Sequence, residues 1–272
     1  IQFGGCDGWL IQNNYIHDTN RGGINPRSGA STSINSTNII RHNTFEDTSL
    51  PSGGTGSSPV ITFSGDSNLI EYNSITGGLD RVRSFGLKNV VRNNFFGATD
   101  SIDYPNTSPY PHHTDDYQPW DSATFDLNQT MYERNWSQDN ADSVGGTNAH
   151  GVLVQNYGTI AGSVDWFVYR FNVLLRPGGI ALSHKSVNDT YTYNATWVAV
   201  NNQAPSVFRT ATNFETPDSG EVDSDKSDIR NISLTLSPNC RESTGWYGIV
   251  SNVTNVTHGT NHTHAFGGTE AS

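Results

Sequence analysis

The densest collection of reactive side chains in the sequence is HHTDDYQPWD, residues 112–121, followed by His150 in AHGVLVQ and by His184 and Lys185 in LSHKS. Adjacent carboxyls at Asp115 and Asp116, with His150 and Lys185 on later strands, are what polysaccharide hydrolysis uses. One carboxyl is protonated and one ionised, on either side of the scissile bond. A lyase would use the same stretch differently. Lys185, His150 or Tyr117 would take the proton beside a uronate, while Ca²⁺ held by Asp115, Asp116 and Asp121 neutralised the carboxylate. Tyr110, Tyr117 and Trp120 would stack on sugar rings or pack a long loop onto its scaffold. Set against both is a polar wall in which His113, Asp115 and Gln118 only hold a turn together. His112, His113, His150 and His184 could also form a metal site, a weak signal because they lack the fixed spacing of a metal set.

These residues meet only if the chain lays their segments side by side, and a repeat in the sequence does that. Aligned on one Asn, seven copies end at Asn14, Asn43, Asn73, Asn94, Asn135, Asn172 and Asn202, spaced by 29, 30, 21, 41, 37 and 30 residues. A fixed minimum with variable additions is what stacked strands joined by loops of unequal length give. Three positions before the Asn stand Ile11, Ile40, Ile70, Val91, Tyr132, Tyr169 and Ala199. Two after it stand Ile16, Phe45, Ile75, Phe96, Ser137 and Leu174, with Ser137 alone polar. Both columns should point inward. The position between alternates outward. It reads Gln12, Arg41, Glu71, Arg92, Glu133, Arg170 and Val200, so Arg41, Glu71, Arg92, Glu133 and Arg170 alternate in sign and form a ladder between strands about 4.8 Å apart. Exposed pairs of this kind contribute on the order of 0.2 to 1 kcal/mol each, and together they fix the stacking register.

The motifs NIIRHNTF, NLIEYNSI and NVVRNNFF resemble those of the right-handed parallel β-helix, pectate-lyase-like superfamily over residues 5–203. The resemblance implies an all-β chain: a right-handed parallel β-helix solenoid with a C-terminal tail that contains β-strands. Second strands precede the anchors in PVITFSG, HGVLVQ and GGIALSHK. Within the scaffold, Asp115-Asp116, His150-Gly151 and Lys185 are similar to part of the polygalacturonase pattern, an Asp pair, a Gly-His-Gly and an Arg-x-Lys. The family's upstream Asp is replaced, since residues 106–108 read Asn-Thr-Ser.

The expected organisation is a β-helix over residues 1–205, an acidic linker over 206–228 and a strand-rich, sequon-rich tail over 229–272. Only 33% of the 272 residues are hydrophobic and 27 are Gly, which suits short strands and many turns. With 15 Lys and Arg against 26 Asp and Glu, the net charge of −11 repels nucleic acid. No run approaches the ~18 apolar residues of a membrane span, and the lack of a leader suits a mature product or a fragment. Ten Asn-x-Ser/Thr sequons, at Asn35, Asn106, Asn128, Asn135, Asn188, Asn194, Asn231, Asn252, Asn255 and Asn261, suit a glycosylated, secreted protein. Cys6 and Cys240 would either tie the tail to the first strands or stand as separate thiols. Trp9, Trp166 and Trp197 fit the repeat and are expected to pack.

Four positions before each Asn, Leu10, Ile39, Leu69, Val90, Met131, Val168 and Val198 are all apolar. On the outer face they would form a stripe that the tail or another subunit must cover; a bulge turning them inward is the alternative. The first strands would leave an open edge that invites end-to-end stacking. Two functions follow. The first is an extracellular glycoprotein that builds a surface fibre or filament, or acts as an adhesin, by self-association and without a cofactor. The second is a secreted lyase or hydrolase on acidic polysaccharide, working through Asp115, Asp116, His150 and Lys185, with Ca²⁺ in the lyase case.

Overall fold

The computed structural model of the chain describes residues 1–19, 22–26, 35–48, 59–78, 80–98, 115–121, 127–138, 150–156, 166–175, 180–185, 190–199, 210–215, 228–230, 233–236, 257–258 and 262–265. Among them there is no helix, and every strand pairing is parallel. Three sheets account for all strands but a short pair, Gln2–Phe3 with Asn25–Pro26. The chain visits the sheets in a fixed order. Strand Ile61–Ser64 belongs to a six-stranded sheet, Leu69–Glu71 to a first nine-stranded sheet and Ser74–Thr76 to a second; Asp80–Phe85 then returns beside Ile61–Ser64. Each strand lies against its counterpart one repeat on, with Ile70 opposite Val91 and Ile75 opposite Phe96. This all-β, parallel arrangement is compatible with a β-helix.

The corner between the two nine-stranded sheets shows why the repeat is written as it is. The residue before each anchor has a left-handed backbone in all seven copies: Asn13, His42, Tyr72, Asn93, Arg134, Phe171 and Asn194 have φ between 50° and 59°. That conformation costs a non-glycine residue about 1–2 kcal/mol, and the next residue offsets it. The Asn43 backbone N–H and Nδ2 both donate to Oδ1 of Asn73, at 3.0 Å each, and Nδ2 reaches the Ile11 carbonyl at 3.0 Å. Asn73 does the same to Asn94, Asn94 to Asn135 and Asn135 to Asn172. A second buried ladder lies five residues upstream, Asn38 to Asn68 to Asn89, with N···Oδ1 distances of 3.0 and 2.9 Å. The quoted motifs begin with this Asn, yet the alignment used only the one at their sixth position.

Both inward columns are buried, apart from the half-buried Ile16. The core also takes Ile61, Phe63, Val82, Tyr117, Val152 and Leu182 from the six-stranded sheet. Toward the later repeats it becomes aromatic: Tyr132 stacks on Phe96, Tyr117 and Tyr169 at centroid separations of 6.2, 5.4 and 5.5 Å.

Three expectations need correction. The seventh anchor is not Asn202. Val173 pairs with Thr196 and Tyr169 with Thr192, so buried Ala195 takes the anchor position, Thr192 replaces Ala199 in the inward column, and Tyr193 replaces Val200. The true anchor stands seven residues before Asn202 and, being Ala, is invisible to a repeat aligned on Asn. Nor do the sheets stop at the expected linker. Thr210–Glu215, inside the expected linker, adds to the six-stranded sheet, while Asp228–Arg230 and Ser233–Leu236 add to the two nine-stranded sheets, followed by Thr257–His258 and His262–Ala265. Finally, Trp9 and Trp166 are exposed rather than packed. Among the described residues Cys6 has no disulfide partner, and Cys240 lies outside them.

Candidate functional site

Strand Asp115–Asp121 of the six-stranded sheet carries the proposed acid pair, and its two Asp residues do different things. Asp116 is fully buried. It forms an ion pair with Arg81, also fully buried, and accepts a hydrogen bond from Ser137 Oγ. Arg81 Nη2 also donates to the Gly97 carbonyl, at 2.5 Å. The four residues therefore close the inside of the corner where the second nine-stranded sheet meets the six-stranded one. Burial pushes the Asp116 carboxyl up to about 6, against the pull of Arg81 and the Ser137 hydrogen bond. Ser137 was the single polar residue in an inward column, a sequence signal for a buried polar partner. Arg81 gave no such signal, because it stands outside the repeat.

Asp115 is also buried, and sits in register between Asp80 and His150. Lys185 is opposite Gln155, five residues further along the strand than His150, which is about 16 Å at 3.3 Å per residue. The sheet therefore brings Asp115 and His150 together, holds Asp116 inside the protein and sets Lys185 toward the far end. The four residues do not form one catalytic group, and Asp115 and Asp116 do not stand together on the outer face. A calcium set from Asp115, Asp116 and Asp121 does not fit either. The Asp116 oxygens are taken by Arg81 and Ser137, and Asp121 pairs with Asn156 six residues beyond Asp115. Tyr117, the other candidate base, is buried in the aromatic stack with its hydroxyl 2.7 Å from Ser84 Oγ, and burial raises its pKa. Among the described residues no group of three His, Cys, Asp or Glu side chains is placed to hold a metal ion. His112, His113 and Tyr110 lie outside them.

Trp120 is held on the outer side of this sheet, its ring 6.0 Å from Phe85 and under the Arg83 guanidinium at 4.7 Å. Arg83 also donates to Gln118 Oε1 at 2.8 Å and forms an ion pair with Asp80. Of the two expectations for this strand, a polar wall through Gln118 or a sugar platform at Trp120, these contacts are those of a wall.

The charge ladder on the first nine-stranded sheet is in register as expected, with Arg41, Glu71, Arg92, Glu133 and Arg170 side by side. Glu71 is 2.9 Å from Arg92, Glu133 is 2.8 Å from Arg170, and Arg41 Nε donates to Gln12 Oε1 at 3.1 Å. Both carboxylates are nearly buried beneath the guanidiniums, so the pairs are not the fully exposed ones expected.

Two sequons are structural. Asn135 is an anchor whose Nδ2 donates to the Val91 carbonyl and to Asn172. Asn35 is fully buried, its Oδ1 accepting from the Cys6 N–H and its backbone within 2.7 Å of where a Cβ on Gly65 would lie. A glycan on either would displace these contacts. Asn194 is exposed and Asn128 half-exposed; Asn106, Asn188, Asn231, Asn252, Asn255 and Asn261 lie outside the described residues.

The outer apolar stripe is on the outside. Leu10 is exposed, and Ile39, Leu69, Val90, Met131 and Val168 are half-buried, in continuous register to Tyr191. Alternation holds, with no bulge at these positions. The described strands of residues 229–272 join the sheets and do not lie across it. No protein-family model matches the chain, and no curated protein matches it.

Proposed function

We propose that the chain is a right-handed parallel β-helix of the pectate-lyase-like kind that serves as a structural or adhesive building block of an extracellular, glycosylated fibre or filament. The observation that carries this reading is the outer apolar row from Leu10 to Val168, which runs unbroken over six repeats. Half-exposed aliphatic side chains in line on a sheet face gain about 25 cal/mol per Å² when another surface covers them. The fixed order in which the chain visits the three sheets supports the solenoid. Exposed Asn194 and half-exposed Asn128 are the described sequons at which a glycan leaves the ladders intact.

A secreted lyase or hydrolase on acidic polysaccharide would need a residue set other than Asp115, Asp116, His150 and Lys185. Light scattering on native, glycosylated material tests the main reading. Particles that grow with protein concentration are expected, and a uniform monomer at tens of micromolar would overturn it. Cleavage of pectin or alginate by the native chain, persisting in Asp115→Asn, would favour an enzyme with such a different set.

A further inference from the structure

The left-handed residues at the Asn corner form a column of their own on the surface, and flat side chains in it stack on one another. His42 and Tyr72 stand at this position in successive repeats, and their rings lie face to face, 5.3 Å apart and within 5° of parallel. Two repeats after Tyr72 comes Arg134, paired with Glu133, and its planar guanidinium lies over the ring of the next corner residue, Phe171, at 5.5 Å. Equivalent residues of neighbouring strands are about 4.8 Å apart, within the range at which flat groups stack. A corner ring is therefore covered wherever the adjacent corner residue is also flat.

The corner residue after Phe171 is Asn194. The two are held side by side: Arg170 pairs with Tyr193, the Phe171 N–H donates to the Tyr193 carbonyl at 3.1 Å, and the Thr196 N–H donates to the Asn172 carbonyl at 2.8 Å. Asn194 brings no ring, and Phe171 stays 44% exposed. What Asn194 does bring is an exposed amide in the sequon Asn194-Ala195-Thr196. A sugar joined to its Nδ2 starts out beside an open aromatic ring. The pyranose of an N-linked glycan presents a row of axial C–H bonds on one face, and these suit the negative face of such a ring. The aromatic surface continues past the sequon, with the Tyr193 ring 6.1 Å from Tyr191 and Tyr191 5.8 Å from exposed Trp166.

We infer that Asn194 carries an N-linked glycan whose first sugar stacks on Phe171, completing the corner column there as Tyr72 completes it over His42. The inference rests on the glycoprotein reading and names one site and the contact its sugar makes. The transfer breaks the C1–O bond of a lipid pyrophosphate-linked oligosaccharide and forms a C1–N bond at Nδ2. The lipid pyrophosphate leaves, and one Nδ2 proton is released to solvent. Held against the ring, the sugar becomes part of the folded surface, so its loss is felt as a loss of stability.

The test uses the full chain secreted from eukaryotic cells. Glycopeptide mass spectrometry should find Asn194 occupied. Asn194→Gln and Thr196→Val each remove the glycan, the second without altering the corner residue, and each should lower the thermal midpoint by about 2–4 °C. In a Phe171→Leu chain the same two changes should lower it little further, because the ring beneath the sugar is already gone. Losses that are absent, or that are equal with and without Phe171, overturn the contact. An unmodified Asn194 on a chain glycosylated elsewhere overturns the inference and leaves the glycoprotein reading standing. A chain with no occupied sequon overturns both.

Discussion

The corner between the two nine-stranded sheets and the corner between the second nine-stranded sheet and the six-stranded one solve the same problem differently. At the first, every copy places a left-handed residue before its anchor, and the Asn anchors from Asn14 to Asn135 each donate to the next, ending at Asn172, after which the seventh anchor is buried Ala195. At the second, the residues around Gly97 are closed by a single buried cluster, Arg81, Asp116 and Ser137, with no counterpart among the described residues of the earlier repeats. Repetition spreads stabilisation over many small terms. A single ion pair concentrates it, and makes one wall far more sensitive to substitution than the other.

The largest expected effect is at the concentrated wall. Asp116→Ala leaves the Arg81 guanidinium buried without its carboxylate, and Arg81→Met does the converse; either should destabilise by about 3–5 kcal/mol in denaturant titrations. The double change Arg81→Met with Asp116→Leu should recover most of that loss, because no buried charge remains. A double variant as unstable as the singles would mean that the wall depends on more than charge pairing.

At the distributed wall the expected loss is smaller and depends on position. Asn94→Ala removes the acceptor of two Asn73 donors and the donor to the Ile70 carbonyl, all buried, for about 2–3 kcal/mol. Asn14→Ala should cost less, since Asn14 only donates, and at the half-buried end of the ladder. Equal losses at the two positions would remove the claim that the ladder acts as a chain of acceptors.

The two walls should also part company with pH. The Asp116 carboxyl is pushed up from 3.8 to about 6 by burial. The folded chain therefore takes up a proton between pH 6 and 4 that the unfolded chain does not. Its contribution to stability is full below the unfolded value and is lost as pH rises through 6. Between pH 7 and pH 5 the gain is about 1 kcal/mol. Asp116→Asn abolishes it, so the deficit of that variant should widen on acidification. An ordinary salt-bridge variant shows the reverse, its deficit narrowing in acid. Denaturant midpoints at the two pH values for native, Asp116→Asn and Asn94→Ala proteins separate these cases, since Asn94 does not titrate.

The same contrast explains what could be seen in the sequence. The inward columns, the parallel register and the Arg–Glu ladder were legible because stacking makes equivalent positions neighbours, so each position states its environment several times over. Ala195 was missed as an anchor because the alignment asked for residue identity, whereas the geometry asks only for a small buried residue after a left-handed one. The Asp115-Asp116 pair was misjudged for the opposite reason. It occurs once, so nothing in its surroundings said that one carboxyl turns inward to a unique Arg. The sequons at Asn35 and Asn135 misled because the Asn that caps a corner and the Asn that accepts a glycan are written with the same letter.

The smallest effect is a gain, and it probes how the distributed wall ends. The upstream ladder runs Asn38, Asn68, Asn89 and then meets Thr130, which is buried and whose Oγ1 has no hydrogen-bond partner among the described residues. An Asn at 130 would offer its Oδ1 to the backbone N–H and Nδ2 of Asn89, as Asn89 offers its own to Asn68 at 2.9 and 3.1 Å. Replacing an unsatisfied hydroxyl by a rung of the ladder should stabilise by about 0.5–1 kcal/mol. Thr130→Val, which removes the hydroxyl without adding a rung, separates the two parts of that gain. If Thr130→Asn is no better than Thr130→Val, the benefit comes only from losing the orphaned oxygen, and the upstream ladder ends at Asn89 because the corner there cannot carry it further.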